Sequence, residues 1–275
     1  MSATVGPGGL LSTGAYFGRV VSRGRAPGFS LTETIYGRGE DLPRHAHERA
    51  FFCLTLDGAY TERTLRTGET AYAPWTAVFH PAGEIHTTRM GSRGGRVLNV
   101  EVDPDRLDEA AALAPAPDAA VDHGGGEIVW LLARLRRAAR AGGASGSLDA
   151  EALGTELVAT VTRAAYRDAR PPRWLARVAE RLADDGPEPS VRELAREAGV
   201  HPVHVARAFR RFHGVPPGTW RRRLRVRRAC ALLCSRGVSI AEAAAAAGFA
   251  DQSHLTRTLK SLLGETPGAF RRAET

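Results

Sequence analysis

The last hundred residues contain one pattern twice. The segment SVRELAREAGVHPVHVARAFRRFHGVPPGTWRR at 190–222 returns as SIAEAAAAAGFADQSHLTRTLKSLLGETPGAFRR at 239–272. The offset is 49 residues from Ser190/Ser239 to Gly199/Gly248, and 50 from His204/His254 to Trp220/Phe270. Each copy opens with S-x-x-E, a capping box that satisfies the free N–H groups of a helix start. Gly199 and Gly248 then allow a tight turn. A second helix follows, with Val205, Phe209 and Phe212 apolar in copy one and Leu255, Leu259 and Leu262 in copy two. Gly214 and Gly264 close it, and Pro217 and Pro267 open the next helix. Two helices joined by a glycine turn make a helix-turn-helix unit. The run 220–235 between the copies reads as a connecting helix with an arginine-coated outer face.

Charge follows the same division. The chain carries a net +8. Residues 1–170 hold 19 arginines against 20 acids, and residues 171–275 hold 19 basic residues against 10 acids. The excess is therefore C-terminal, where a polyanion would be met. No apolar stretch is long enough to span a membrane, and the N-terminus lacks the layout of a signal peptide. Three cysteines, Cys53, Cys230 and Cys234, form no CxxC pair. These features together predict a cytoplasmic protein with its thiols in the core.

The C-terminal pattern resembles the AraC-type transcriptional regulators over residues 172–272. The resemblance is carried by the second capping box, the GFADQSH turn, the LTRTLK helix and the GETPGAFRR end. Copy two departs in its alanine-rich first helix, with alanine at every position of 243–247. The resemblance implies that both second helices enter successive major-groove segments of duplex DNA. The expected contacts are His201, Val203, His204, Ala206, Arg207, Arg210 and Arg211 in copy one. In copy two they are Gln252, Ser253, Thr256, Arg257 and Lys260, with His254 equivalent to His204. Arg207 and Arg257 suit guanine and Gln252 suits adenine. Arg210, Arg211, Lys260 and the arginines at 221, 222, 223, 271 and 272 are expected on phosphates.

The first hundred residues read differently. Strand-like runs at 29–36, 50–56, 60–65, 69–73, 77–79 and 96–102 are separated by glycines, which predicts an antiparallel sandwich or barrel. Residues 103–126 read as a linker around a short helix. Helices over 127–141 and 149–167, joined by AGGASGS, predict an antiparallel hairpin that packs on the sheet or forms a dimer interface.

Gly39 is followed by five residues and then His45-Ala-His47, and Pro81-Ala-Gly83 is followed by His86. These resemble the two motifs of the cupin barrel. Residues i and i+2 of a strand share a face, so His45 and His47 can share a site that His86 completes. The glutamate of the cupin motif falls on Phe51 or Phe52 and its asparagine on Met90, so the usual fourth ligand is absent. Three occupancies stay open: a catalytic metal, a structural or sensing divalent metal, or a metal-free effector.

The expected architecture is α+β and multidomain. It places a cupin-like antiparallel β-barrel sensor at 1–105, a linker and helical hairpin at 106–170, and an all-α tandem helix-turn-helix domain at 171–275. The expected function is sequence-specific transcription regulation in response to a small molecule or metal, without enzymatic activity. Expected partners are promoter DNA, an effector, a second copy of the chain and RNA polymerase, with no membrane. The alternatives are a metal-dependent cupin enzyme carrying a basic domain, and a constitutive DNA-binding protein whose N-terminal half only dimerises.

Overall fold

The structure is a computed structural model that describes residues 9–111, 117–118, 120–122, 126–165, 171–184, 186–235 and 237–274. Contacts divide the chain into two compact units, residues 1–124 with 128–166 and residues 125–127 with 167–275.

The first unit is a curled β-sheet that forms a half-barrel. Its strands are β1 (Leu10–Leu11), β2 (Arg19–Ala26), β3 (Phe29–Tyr36), β4 (Asp41–His47), β5 (Phe51–Thr64), β6 (Gly68–Tyr72), β7 (Ala77–His80), β8 (His86–Val102) and β9 (Val121–Asp122). All pairings are antiparallel except β1 with β4. Two long strands organise it: β8 pairs with β3, β4 and β5, and β5 pairs with β6, β7 and β8.

The two strands expected at 50–56 and 60–65 are one strand, because Gly58 forms a bulge instead of a turn. Its φ is 76°, and a Cβ there would stand 2.0 Å from the carbonyl oxygen of Gly94. Register shifts occur between Thr55 and Asp57 and between Gly58 and Tyr60. An extra residue in a strand exchanges its two faces. The inward side therefore passes from Phe51 and Cys53 to Tyr60 and Glu62, and all four line one cavity.

The helices α1 (Pro104–Ala111), α2 (Glu127–Ala141) and α3 (Gly143–Ala165) follow. The helix α2 has the bounds expected. In contrast, α3 begins at Gly143, so most of AGGASGS is helical and the hairpin turn is short. Gly146 permits this approach, since a Cβ there would lie 2.9 Å from the Ala138 carbonyl oxygen. The expected end of this helix at 167, and part of the expected linker, lie outside the described residues.

The hairpin packs on the sheet. The Trp130 ring on α2 stacks on Trp75, with centroids 5.8 Å apart. Beside this contact, the buried Glu33 of β3 accepts from Arg136 Nε at 2.9 Å and Nη2 at 3.0 Å, and pairs with Arg140 at 2.8 Å and Arg96 at 2.8 Å. Burial alone would raise the Glu33 pKa, but its hydrogen bonds with Arg136 and the surrounding guanidinium charges hold it below the ordinary range.

The second unit is helical: α4 (Arg173–Ala183), α5 (Val191–Ala198), α6 (Pro202–His213), α7 (Pro217–Leu233), α8 (Ile240–Ala246), α9 (Gln252–Leu263) and α10 (Pro267–Glu274). Both capping boxes form. Glu193 N donates to Ser190 Oγ at 3.2 Å while Ser190 N donates to the Glu193 carboxylate at 2.7 Å, and Ser239 and Glu242 repeat this at 3.1 and 2.7 Å. Gly199, Gly214, Gly248 and Gly264 all have positive φ. The core of the first copy joins Leu175, Val178 and Leu182 of α4 to Leu194, Val205 and Phe209.

The repeat is one helix longer than the sequence pattern. Arg221 donates to the carbonyls of Leu182 and Gly186, at the end of α4. Its counterpart Arg271 donates to those of Leu233 and Val238, at the end of α7. The helix α7 thus closes the first copy and opens the second.

Candidate functional site

The two second helices, α6 and α9, each span 12 residues, about 18 Å of helix. Both are held by apolar inner faces. The helix α6 buries Val205 and Phe209, and α9 buries Leu255, Thr258, Leu259 and Leu263. The remaining face of α6 exposes His201, Val203, His204, Arg207, Arg210 and Arg211, with Ala206 half-buried. The matching face of α9 exposes Gln252, Ser253, Arg257 and Lys260, with Thr256 half-buried. Each helix therefore offers polar and cationic side chains outward, of the kind that reads base edges in a major groove.

Two histidines have local duties. His201 is the N-cap of α6, its Nδ1 accepting from Val203 N at 3.3 Å. His254 is half-buried edge-on against Phe249, with centroids 5.2 Å apart. His204, its counterpart, is exposed.

Three arginines expected on phosphates are placed differently. Arg221 is buried, with 3 % of its surface exposed, and its guanidinium caps α4. Arg223 is buried, and Arg271 is half-buried where it caps α7. Arg228 also donates to a carbonyl at the end of α4, that of Ala183. The outer face of α7 is therefore not uniformly arginine-coated. A cation at a helix C-terminus satisfies carbonyls that lack intrahelical partners and opposes the negative end of the macrodipole. Arg222 and Arg272 are exposed as expected.

In the first unit, the half-barrel encloses a cavity of about 40 Å³. His45 and His47 reach it from β4 and His86 from β8, where His45 stands opposite His86. All three are buried, and each offers a ring nitrogen within 4.8 Å of the others'. Nδ1 of His45 lies 2.8 Å from the Pro43 carbonyl oxygen, and Nδ1 of His86 lies 3.1 Å from that of Glu84. Only a protonated Nδ1 can bond a carbonyl, so Nε2 of both rings keeps a free lone pair when the rings are neutral. Nδ1 of His47 is buried without a hydrogen-bond partner.

Protonation is disfavoured at all three. Burial, followed by the charges of the neighbouring histidines, lowers His47 to about 2 and takes His86 well below its ordinary value. His45 is lowered chiefly by burial. Three neutral imidazoles around a small void are a donor set suited to a divalent transition metal.

A second polar group adjoins them. His80 is buried, with Nδ1 3.2 Å from Glu84 Oε2 and Nε2 3.7 Å from Glu62 Oε2. Burial lowers its pKa, but the charge of Glu62 and the hydrogen bond and charge of Glu84 raise it further, and the net shift is upward. Its ring stacks on Phe51 at 4.7 Å and lies 5.1 Å from His86. Glu62 is also buried, lines the cavity, and has Oε1 without a hydrogen-bond partner. The sequence reading did not select His80, Glu62 or Glu84. His80 directly precedes the Pro81 motif, but Glu62 reaches the cavity only through the bulged register of β5. Glu48 points outward and holds Thr13 N at 3.2 Å.

Comparisons with known proteins bear mainly on the second unit. Residues 194–273 match a family model described as a helix-turn-helix domain. The chain is also similar to the HTH-type transcriptional regulator GlxA of Rhizobium meliloti (strain 1021), 40 % identical over 79 residues, 29 % of this chain and 24 % of that protein. The chain thus matches about a quarter of the length of that curated relative. Among solved structures, ToxT from Vibrio cholerae O395 is 10 % identical, covering 90 % of this chain and 99 % of that one with a TM-score of 0.37. Oxalate decarboxylase from Bacillus subtilis is 16 % identical, covering 28 % and 21 % with a TM-score of 0.26. Scores of that size carry no argument about ligand or activity. Residues 194–273 are a helix-turn-helix domain, in line with the resemblance read from the C-terminal repeat.

Proposed function

We propose that this chain is a sequence-specific DNA-binding transcription regulator whose N-terminal cupin-like unit senses a small effector. The observation that carries the reading is the pair of capped helix-turn-helix units, each exposing one face of its second helix with an arginine at the equivalent position, Arg207 and Arg257. Those arginines and Gln252 read bases, while Arg210, Arg211, Lys260, Arg222 and Arg272 hold phosphates.

The effector site is the histidine cavity, and a divalent transition metal is the occupant that its chemistry fits best. His45, His47 and His86 would hold it, the first two from β4 and the third from β8. The void of about 40 Å³ has room for roughly three waters, which suits an ion with small co-ligands. The Glu33–Arg136 contact ties the sheet that bears the site to α2, so the hairpin is positioned to pass on a change in the sheet. The same hairpin is the surface through which two copies would pair. RNA polymerase is the further partner that such a regulator requires if it activates.

Selecting genomic fragments with the purified protein tests this reading. A recurrent motif with two half-sites spaced one helical turn apart is expected. Recovery of fragments without a shared motif contradicts it.

A further inference from the structure

The second unit holds a cavity of about 110 Å³ between the end of α4, the middle of α7 and the end of α8. A single water needs roughly 10–15 Å³ of such space, so a polyatomic ion fits. Its wall carries Arg221, Arg225 and Arg228, all from α7. The facing wall is Ala245, Ala246 and Ala247 with Gly248.

The void follows from a difference between the two copies. In the repeat register, Ala245 and Ala246 stand where the first copy has Arg196 and Glu197. In the first copy Glu197 faces Arg181 of α4, at 3.7 Å. In the second copy that carboxylate is missing, and arginines face alanines across open space.

Among the described residues, the cavity lining holds three arginines and one carboxylate, that of Asp184. Arg221 Nε is buried without a hydrogen-bond partner. Glu188, outside the lining, stands 3.3 Å from Arg225 and 3.9 Å from Arg221, and its side chain is 51 % exposed. Asp184 also lines the cavity, but it pairs with Arg181 at 3.5 Å. The two arginines that cap α4 explain part of the cluster. Arg225 caps nothing among the described residues, and its Nε lies 3.3 Å from where a Cβ of Gly248 would stand. Glu188 already shows an oxyanion resting against two of these guanidinium groups. Burial and repulsion from Arg225 make the Arg221 charge costly, which an anion would relieve.

We propose that Arg221, Arg225 and Arg228, with the alanine wall of α8, form a binding site for a tetrahedral phosphate group. Guanidinium forks match phosphate oxygens, and the site lies where the first helix-turn-helix copy hands over to the second. The phosphate has two sources, a free phosphoryl anion or the DNA backbone.

Titration calorimetry of the full chain with inorganic phosphate, at constant ionic strength in chloride, tests the proposal. The salt dependence of DNA binding is measured on the same variants. Saturable phosphate binding is expected. Ala246→Glu restores the carboxylate of the first copy and should weaken binding at least about tenfold. Arg225→Gln, which leaves both α4 caps in place, should do the same, the loss of one charge-assisted bond corresponding to about tenfold or more. Glu188→Gln removes the competing carboxylate and should tighten binding. If the source is DNA, free phosphate binds weakly or not at all, and Arg225→Gln lowers the salt slope by about 1. Absence of phosphate binding together with an unchanged slope overturns the proposal. So does phosphate binding that Ala246→Glu and Arg225→Gln leave intact.

Discussion

Replacing Arg221 with alanine separates two duties that an arginine in a DNA-binding domain can have. Its position between the repeats and its charge suggest a phosphate contact. Its placement makes it the cap of α4, with Nη2 2.5 Å from the Gly186 carbonyl oxygen and Nη1 3.5 Å from that of Leu182. The longer bond is weak, and Gly186 is exposed, so water can replace part of what is lost. One charge-assisted bond is worth about 1.5–3 kcal/mol. The favourable placement at a helix C-terminus adds about 0.3–1 kcal/mol. Relief of repulsion from Arg225 and Arg228 acts in the opposite direction. A net loss of about 2 kcal/mol follows, which lowers the melting temperature of a unit of this size by on the order of 8 °C. Circular dichroism should detect that fall. Unless the cavity beside α7 takes a phosphate of the DNA backbone, in which case Arg225→Gln also lowers the slope, DNA binding measured well below the melt should keep its salt slope. Arg222→Ala is the control, because that side chain is exposed. It should leave the melt within about 0.5 kcal/mol and lower the slope by about 1. If Arg221→Ala melted like the wild type, the capping argument would be wrong.

Further outcomes follow from the other sites. Arg207→Ala and Arg257→Ala should each cost about 1–3 kcal/mol on the preferred DNA site and relax its specificity, read from competition titrations against single-base variants. Elemental analysis of the purified wild type should find a divalent metal that His45→Ala and His86→Ala each lose, and wild-type protein without metal above background removes metal from the reading. Glu33 has a folded pKa below its unfolded one. Its contribution is therefore full above about pH 4.3 and is lost as pH falls through the folded value. Acid titrations of Glu33→Gln should lack that part of the stability loss, and an acid limb identical to the wild type would contradict the charge cluster.

The parts of the fold set by local chemistry were legible in the chain. Ser190 with Glu193 and Ser239 with Glu242 declare helix starts, and both boxes form as spaced. The i, i+2 spacing of His45 and His47 put them on one strand face, and His86 joins them. What could not be read depends on contacts far apart in sequence. Gly58 has the look of a turn residue, and only its approach to Gly94 makes it a bulge that turns Glu62 inward. Arg221 and Arg222 are neighbours of one type, and their opposite fates depend on where α4 ends. The alanines at 243–247 read only as a departure from the family pattern, whereas packing makes three of them the wall of a cavity.

The central claim is that the two exposed helices read sequence. The most direct test titrates the protein onto a selected genomic fragment and onto the same fragment with its bases shuffled, at one salt concentration. The account predicts that the selected site binds at least about a thousandfold more tightly, and that Arg257→Ala narrows this gap. Equal affinity for both fragments would contradict it.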